Sequence, residues 1–410
     1  MEYSLGAMRL LFLADGRSPT ALNWIEYFIY QGHEVHLVST HPCEPGPGLA
    51  SFWLAPVAFS EVAGAKPAGW GWKALIPVGL RTALRQRVGP ATLLRSARRF
   101  REILERVQPD LVHAMRIPYE GILAALAQPA CPLLVSVWGN DFTLHASSTK
   151  KMAQLTQLCL QRASALHTDC QRDARLARIW GFSPEKPEIV LPGGGGVQPD
   201  IFYPPDGGLQ AASLSEGFSA GRSGPIVTNP RGLRAYVRND VFFKAIPLIL
   251  ENASQVQFIC PAMQGETQPE RWVSELGIAE HVSLLPKLAR PKMADLFRCA
   301  QVTVSPSTHD GTPNTLLEAM ACGSFPVVGD LESLREWIVP GVNGLLADPN
   351  DPHSLAEAIL LALQREELRS EAAAYNHTLI TRRAIYSDVM AQAEEFYENL
   401  STGKGIAGSS

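Results

Sequence analysis

Two carboxylates, Asp310 and Glu318, stand eight positions apart in the stretch SPSTHDGTPNTLLEAMACGSFPVV (305–328). Between them runs Gly311-Thr312-Pro313-Asn314, which closes a loop and opens a helix. Thr312 reads as the N-cap and Pro313 as the first helical residue. Pro313 has no N–H, so the next backbone donors, on Asn314 and Thr315, point back toward the loop. A capping box needs Glu or Gln at the third helical position, and Thr315 stands there instead. These donors are open to an anionic ligand, and phosphate is the anion a helix N-terminus suits. Taken alone, the two carboxylates fit equally well as solvated charges on an ordinary loop and helix.

The elements around this stretch must place it. Short apolar runs alternate with segments of helical period along most of the 410 residues. RLLFLA (9–14) predicts a strand, Ser18 and Pro19 the start of a helix running to about Gln31, and HEVHLVS (33–39) the next strand. Such a unit implies a parallel sheet covered on both faces. PDLVHAM (109–115), PLLVSVW (132–138), ALHT (165–168) and PEIVLPG (187–193) continue the series. A second series reads IVTN (226–229), VQFIC (256–260), VSLL (282–285), VTVSP (302–306), FPVV (325–328) and GLLA (344–347).

The expected fold class is therefore α/β, with two doubly wound Rossmann-like domains. The domain boundaries follow: 1–200, a Gly/Ser/Pro-rich linker over 201–224, 225–382, a helix over 383–400 packing back on the first domain, and a disordered tail over 401–410. Ligands of such sheets bind at the carboxyl ends of the strands, so a cleft between the domains is the expected site.

Composition narrows the chemistry. A hydrophobic fraction of 46% and a charged fraction of 19% are those of a globular protein, and a net charge of -4 gives no general attraction to nucleic acid. Seven scattered cysteines without a Cys-x-x-Cys pair predict reduced thiols in the cytoplasm. No His/Cys/Asp set has metal-ligand spacing, so no metal is expected. No apolar run approaches the ~20 residues of a membrane span, and no signal peptide is legible. DGRSP after the first strand carries one glycine, Gly16, and is no Gly-x-Gly-x-x-Gly fingerprint, which stands against a dinucleotide oxidoreductase.

Residues 310–359, DGTPNTLLEAMACGSFPVVGDLESLREWIVPGVNGLLADPNDPHSLAEAI, closely resemble the donor-binding region of the family 4 glycosyltransferases, retaining enzymes of the GT-B fold. GHEVHLVST (32–40), QPDLVHAM (108–115), VSVWGNDF (135–142) and ADLFRCAQVTVSPS (294–307) resemble other segments of that family. The resemblance implies that the two domains face a central cleft and that a nucleotide-sugar such as a UDP- or GDP-hexose is the co-substrate, with no further cofactor. Asp310 would then hold hydroxyls of the transferred sugar, and Glu318 the ribose diol, which an acceptor-only carboxylate suits. Gly311, Thr312 and the amides of Asn314, Thr315 and Leu316 would line the diphosphate. The family has Glu where this chain has Asp310, one methylene shorter by about 1.5 Å.

Further candidates follow from the same resemblance. Arg231 matches a family arginine that clamps the diphosphate, Arg238 is the best match to the second clamp, and Arg234 is its rival; solvent-exposed loop arginines are the plain alternative. Gly16 falls where the family has a phosphate-side glycine loop. His113 is a candidate catalytic group or a core histidine, and Asp141 a candidate on the acceptor side.

Residues 81–106 carry eight arginines against two glutamates, and 93–107 has helical amphipathic spacing. A solvated helix with its apolar face in the core is the first reading, and contact with anionic lipid at the inner face of a membrane the second.

The expected activity is transfer of a hexose-type sugar to a glycan or lipid-linked acceptor hydroxyl, with retention. A nucleotide-sugar epimerase on the same fold and a non-enzymatic two-lobed solute-binding protein are the alternatives.

Overall fold

The computed structural model describes residues 6–57, 93–205, 218, 224–234 and 236–403. Most of the expected linker, residues 81–92 of the basic stretch and the last seven residues lie outside them. The chain forms two compact units: Met1–Gly195 with Ser387–Ser410, and Gly196–Tyr386.

In the first unit, β1 (Arg9–Ala14) is buried at five of its six residues, as an interior parallel strand must be. Ser18 caps α1 (Pro19–Tyr30), its Oγ accepting from the Ala21 amide at 3.5 Å, and Gly32 at φ 86° ends the turn that follows. β2 (Glu34–Ser39) returns parallel to β1. β3 (Ser51–Leu54), α2 (Leu93–Val107), β4 (Leu111–Ala114), α3 (Ile122–Ala127), β5 (Leu133–Val137), α4 (Lys150–Arg162), β6 (Ala165–Thr168), α5 (Gln171–Ile179) and β7 (Glu188–Val190) follow. The described strands make one parallel sheet in the order β3-β2-β1-β4-β5-β6-β7. The order reverses between β1 and β4.

The amphipathic helix α2 turns Leu93, Ala97, Phe100, Ile103, Leu104 and Val107 into this core. Its apolar stripe is thus used in packing, and its arginines face outward. Arg101 is tied down, donating to the carbonyls of Leu126 and Ala127.

The second unit begins at Gly196, ahead of the expected linker: Val197 pairs with Ile385, and Phe202 is buried against Phe297. It continues through β8 (Ile226–Thr228), α6 (Asn239–Leu250), β9 (Gln257–Cys260), α7 (Thr267–Glu275), β10 (Val282–Leu284), α8 (Arg290–Cys299), β11 (Val302–Ser305), α9 (Asn314–Ala321), β12 (Phe325–Gly329), β13 (Leu345–Ala347), α10 (Pro352–Gln364) and α11 (Glu366–Arg383). Its sheet is parallel, in the order β10-β9-β8-β11-β12-β13, and reverses between β8 and β11. The final helix, α12 (Tyr386–Thr402), belongs to the first unit, where Val389, Met390, Ala393, Phe396 and Tyr397 are buried. No helix among the described residues is long and apolar enough to cross a membrane.

Candidate active site

Ligands of doubly wound sheets collect where the strand order reverses. In the second unit that point lies between the carboxyl ends of β8 and β11, and the loops leaving those strands are zipped together. The Thr308 amide donates to the Tyr236 carbonyl at 2.9 Å, the Arg238 amide to the Pro306 carbonyl at 3.0 Å, and Val237 bridges Ser307. This pairing brings Arg231 to Asp310 although they are 79 positions apart: an Arg231 Nη2 lies 3.0 Å from Asp310 Oδ2 and 3.3 Å from Oδ1. Both side chains are about nine-tenths buried. Burial works to lower the pKa of Arg231, but Asp310 and Tyr236 outweigh it and leave the pKa raised. The guanidinium is therefore a fixed charge.

Two buried asparagines hold the β8 loop. Asn229 Oδ1 accepts from the Arg231 amide at 3.3 Å, its Nδ2 donates to Asn239 Oδ1 at 2.9 Å, and Asn239 Nδ2 donates to the Gly232 carbonyl at 3.1 Å. Gly232 sits at φ 61°, a conformation glycine adopts without a Cβ penalty. On the other side, Ser333 Oγ donates to the Asp310 carbonyl at 2.7 Å.

The helix mouth differs from the sequence expectation by one residue. α9 starts at Asn314, and its N-cap is Pro313, with extended backbone and no side-chain cap bond. Thr312 does not cap: it is buried, and its Oγ1 accepts from Trp337 Nε1 at 3.0 Å. The Leu316 amide donates to the Pro313 carbonyl at 3.0 Å, so it drops out of the three amides expected to face a phosphate. Gly311 is buried beside them.

Glu318, one turn into α9, keeps only 15% of its side chain exposed. Burial pushes its pKa up to about 7, with Arg290 pulling the other way. Arg290 Nη2 lies 3.7 Å from Glu318 Oε1. Arg290 opens α8 and escaped the sequence reading, as did Asn229, Tyr236 and Asn239. A single arginine before a proline carries no signal of its own.

Arg238 is engaged by other partners. Its guanidinium pairs with Asp240 at 2.8 Å and contacts Asn350. Asn350 lines a recess of about 590 Å³ with Thr308, Asp330 and Asp348, whose lining includes none of Arg231, Asp310 and Glu318. Arg234 is exposed and donates to the Arg231 carbonyl at 3.2 Å. The structure thus brings together Arg231, Asp310 and the mouth of α9, and holds Arg238 on Asp240 and Asn350.

In the first unit two candidates are corrected. His113 is 1% exposed, packed among Phe12, Trp24 and Tyr397. Its Nε2 bonds Ser136 Oγ at 2.7 Å and its Nδ1 the Tyr397 hydroxyl. Burial, with His167 nearby, holds its pKa well below the usual value. It is a satisfied core histidine and not a catalytic group.

Asp141 is buried with both oxygens engaged: Oδ1 by Arg116 at 2.8 Å, and Oδ2 by the amides of Ile117 and Trp138 at 3.1 Å each. It joins the ends of β4 and β5 and presents no free oxygen to an acceptor. Arg116, stacked over Trp138 at 5.4 Å, is partly exposed.

Gly16 is required by packing. Its amide donates to Ser39 Oγ at 3.0 Å, and a Cβ there would stand 2.5 Å from Cys43 Sγ. The fold also gathers a set that linear spacing did not reveal: Asp169, Cys170 and Asp173 offer ligand atoms within 4.8 Å of one another. Arg172 already pairs with Asp173 at 2.7 Å, so a cation occupies that carboxylate.

Known proteins share this two-sheet architecture. Residues 222–378 match the family of glycosyl transferases group 1, and residues 15–193 the glycosyl transferase 4-like domain. A D-inositol 3-phosphate glycosyltransferase of Thermomonospora curvata is 29% identical over 225 residues, 51% of this chain and 51% of that protein. Its counterpart in Geodermatophilus obscurus is 31% identical over 209 residues, 48% of this chain and 45% of that protein. The chain spans about half the length of the curated relatives it matches.

Among solved structures, sucrose-phosphate synthase from Thermosynechococcus elongatus superposes with a TM-score of 0.76 at 16% identity, covering 97% of this chain and all of that one. Anabaena HepE in complex with UDP-glucose superposes with 0.70 at 15% identity, covering 95% and 99%. These likenesses carry the fold, and the two family matches between them cover every described strand of the two sheets except β1. Residues 222–378 thus form a domain of the glycosyl transferases group 1 family and residues 15–193 a glycosyl transferase 4-like domain, and the chain has the GT-B fold.

Proposed function

We propose that this protein transfers a hexose-type sugar from a nucleotide-diphosphate sugar to an acceptor hydroxyl on a glycan or lipid-linked molecule, with retention of anomeric configuration. The observation that carries the reading is the buried Arg231–Asp310 pair beside the mouth of α9, at the point where the strand order of the second unit reverses. The diphosphate lies against Arg231 and the amides of Asn314 and Thr315, with the sugar on the Asp310 side and the ribose on Glu318.

Magnitudes rank these contributions. A helix terminus gives an anion about 0.3–1 kcal/mol, up to ~2 when partly buried. A full cation ~4 Å away at an effective dielectric of ~20 gives ~4 kcal/mol. Arg231 is therefore the principal stabiliser of charge on the leaving diphosphate. Asp310 holds the guanidinium ready, and an arriving diphosphate competes for it. In this reading a departing phosphate oxygen takes the acceptor proton, so no protein nucleophile is needed; the protein positions both substrates and stabilises the charge that develops. No cofactor is required, and activity survives a chelator. Loss of activity with rescue by magnesium or manganese would refute that part.

The testing experiment is a panel of UDP- and GDP-hexoses, read by released nucleotide with and without acceptors, D-inositol 3-phosphate among them. Acceptor-dependent release and an NMR spectrum of the first-formed product with the donor's configuration are expected. Release of no nucleotide from any donor, or an inverted product, would overturn the reading.

A second surface bears on where the enzyme works. The outward face of α2 carries Arg95, Arg98, Arg99 and Arg106, with Leu94 68% exposed among them. At ~1 kcal/mol per basic residue near an anionic surface, three in contact give measurable binding. The protein works at the inner face of a membrane in this reading. Flotation with anionic vesicles at low salt is expected, and equal behaviour with neutral vesicles would refute it.

A further inference from the structure

Glu318 is an acid in an unfavourable place. Its side chain is largely buried in α9, and Arg290 is the charged side chain in contact with it. The Cys322 thiol, one turn on, is a second titratable neighbour. The remaining charges of α8 are spent on one another: Asp295 lies 2.6 Å from Arg298 and 3.3 Å from Lys292.

Arg290 is built into position. It is the first residue of α8, followed by Pro291, which fixes the entry of the chain. Its Nη1 donates to Gln198 Oε1 at 3.0 Å, and its guanidinium lies over the Phe202 ring at 5.3 Å. Phe202 is itself 2% exposed and packed on Phe297 of the same helix. One edge of the guanidinium is thus engaged by an amide and one face by a ring, and Nη2 faces Glu318.

We infer that Arg290 is a positioning residue for the nucleotide: held by Gln198 and Phe202, it keeps the Glu318 carboxylate anionic and aimed so that the carboxylate can accept from the two hydroxyls of the ribose. The inference rests on the donor reading above. A ribose diol supplies two O–H donors, and only the ionised carboxylate can accept both without a competing donor of its own. Arg290 sets the fraction of Glu318 that is ready at neutral pH, since burial has already pushed that acid up to about 7. An opposite charge within ~4–6 Å shifts an acid by about one to three units. Removing Arg290 moves Glu318 toward the protonated form, which offers the diol a donor where it needs an acceptor.

The test is calorimetric binding of a UDP-hexose and a GDP-hexose, whose diphosphates do not titrate between about pH 5.5 and 8.5. In the wild type, affinity for the bound nucleotide-sugar is expected to rise with pH through about 7. In Arg290→Ala the midpoint moves up by about one unit or more, and affinity at neutral pH falls at least about fivefold. Arg290→Lys retains most of the wild-type profile. In a Glu318→Gln background, Arg290→Ala has little further effect.

Should the alanine variant fail to fold by circular dichroism, Arg290→Gln takes its place. One pH profile shared by wild type and the neutral variant, or an undiminished effect in the Glu318→Gln background, overturns the inference while leaving the donor reading standing. A wild type that binds neither nucleotide-sugar at any pH removes the donor reading, and the inference with it.

Discussion

Asp310 faces two demands. It holds Arg231 in the free protein, and in the proposed reaction it accepts from the transferred sugar. Asp310→Asn keeps an acceptor oxygen but removes the charge that competes with a diphosphate for Arg231. Affinity for free UDP or GDP is therefore expected to hold or rise, while turnover falls by about 10- to 100-fold for loss of a charged hydrogen bond. Glu318→Gln is expected to do the reverse, weakening nucleotide binding by a similar factor. Equal losses of nucleotide affinity in both variants would contradict the assignment.

Arg231→Ala has a different signature. Arg231 binds the ground-state diphosphate in part, and only the extra charge on the leaving oxygen helps the chemical step. A differential of about 2.7 kcal/mol lowers turnover ~100-fold. The same change leaves Asp310 buried without its cation, a class of change that costs about 3–5 kcal/mol. The melting temperature should fall along with turnover, and steady-state kinetics on folded protein will separate the two. A rise in KM with turnover unchanged would contradict the role given to Arg231.

At the scale of elements, a directed chain of hydrogen bonds crosses the sheet of the first unit. The Leu191 carbonyl accepts from His167 Nε2 at 2.9 Å, so His167 Nδ1 must accept, from Ser136 Oγ at 2.8 Å. Ser136 in turn accepts from His113 Nε2, leaving His113 Nδ1 to accept from the Tyr397 hydroxyl of α12. Every proton is thereby assigned, and both histidines are neutral. Burial lowers the pKa of His167 to about 4, against an ordinary 6.5.

The unfolded chain therefore takes up a proton as pH falls below 6.5 that the folded unit refuses down to about 4. The stability tied to His167 is complete above 6.5 and lost across that window, by about 3 kcal/mol in all. Urea unfolding of the first unit at stepped pH should show this slope, and His167→Asn should remove this residue's part of it. An unchanged slope in the variant would contradict the neutral chain.

At the scale of the molecule, the last helix completes the first unit after the chain has built the second. In α12, Val389, Met390, Phe396 and Tyr397 are buried, and Phe28 stacks on Tyr397 at 4.5 Å. Glu394 pairs with His33 at 2.8 Å and accepts from the Tyr27 hydroxyl. Burying a large apolar side chain is worth about 1.5–3 kcal/mol, so those four together are worth about 6–12. That range overlaps the whole stability of an ordinary domain, about 5–15 kcal/mol. Truncation after Tyr386 is expected to unfold the first unit and to spare the second, whose described residues end there. Limited proteolysis should leave a fragment near 196–386. Survival of an intact first unit would contradict the role of α12.

The interior strands were legible because a parallel strand buried on both faces is written as a short, largely apolar and β-branched run, as VTVSP, FPVV and IVTN are. The edge strand β3 was not, because Ser51–Leu54 is only partly buried and needs no such run. Tyr119 at φ 74° was not, because no residue type announces a strained turn of that kind. Around the site, the carboxylates, the helix mouth and Arg231 could be read from residue types and from the family resemblance.

Their pairing could not. Arg231 meets Asp310 because β8 and β11 are neighbours in the sheet, and strand order is a property of how the chain winds. The sequence likewise carries His113 and Asp141 as polar residues at strand ends, where ligands bind. Only the tertiary structure decides that Tyr397, Ser136 and Arg116, brought from distant positions, have already used their hydrogen bonds. Apolar burial is written locally, as patterns of a few residues, whereas the satisfaction of a buried polar group depends on partners that only the fold brings within reach.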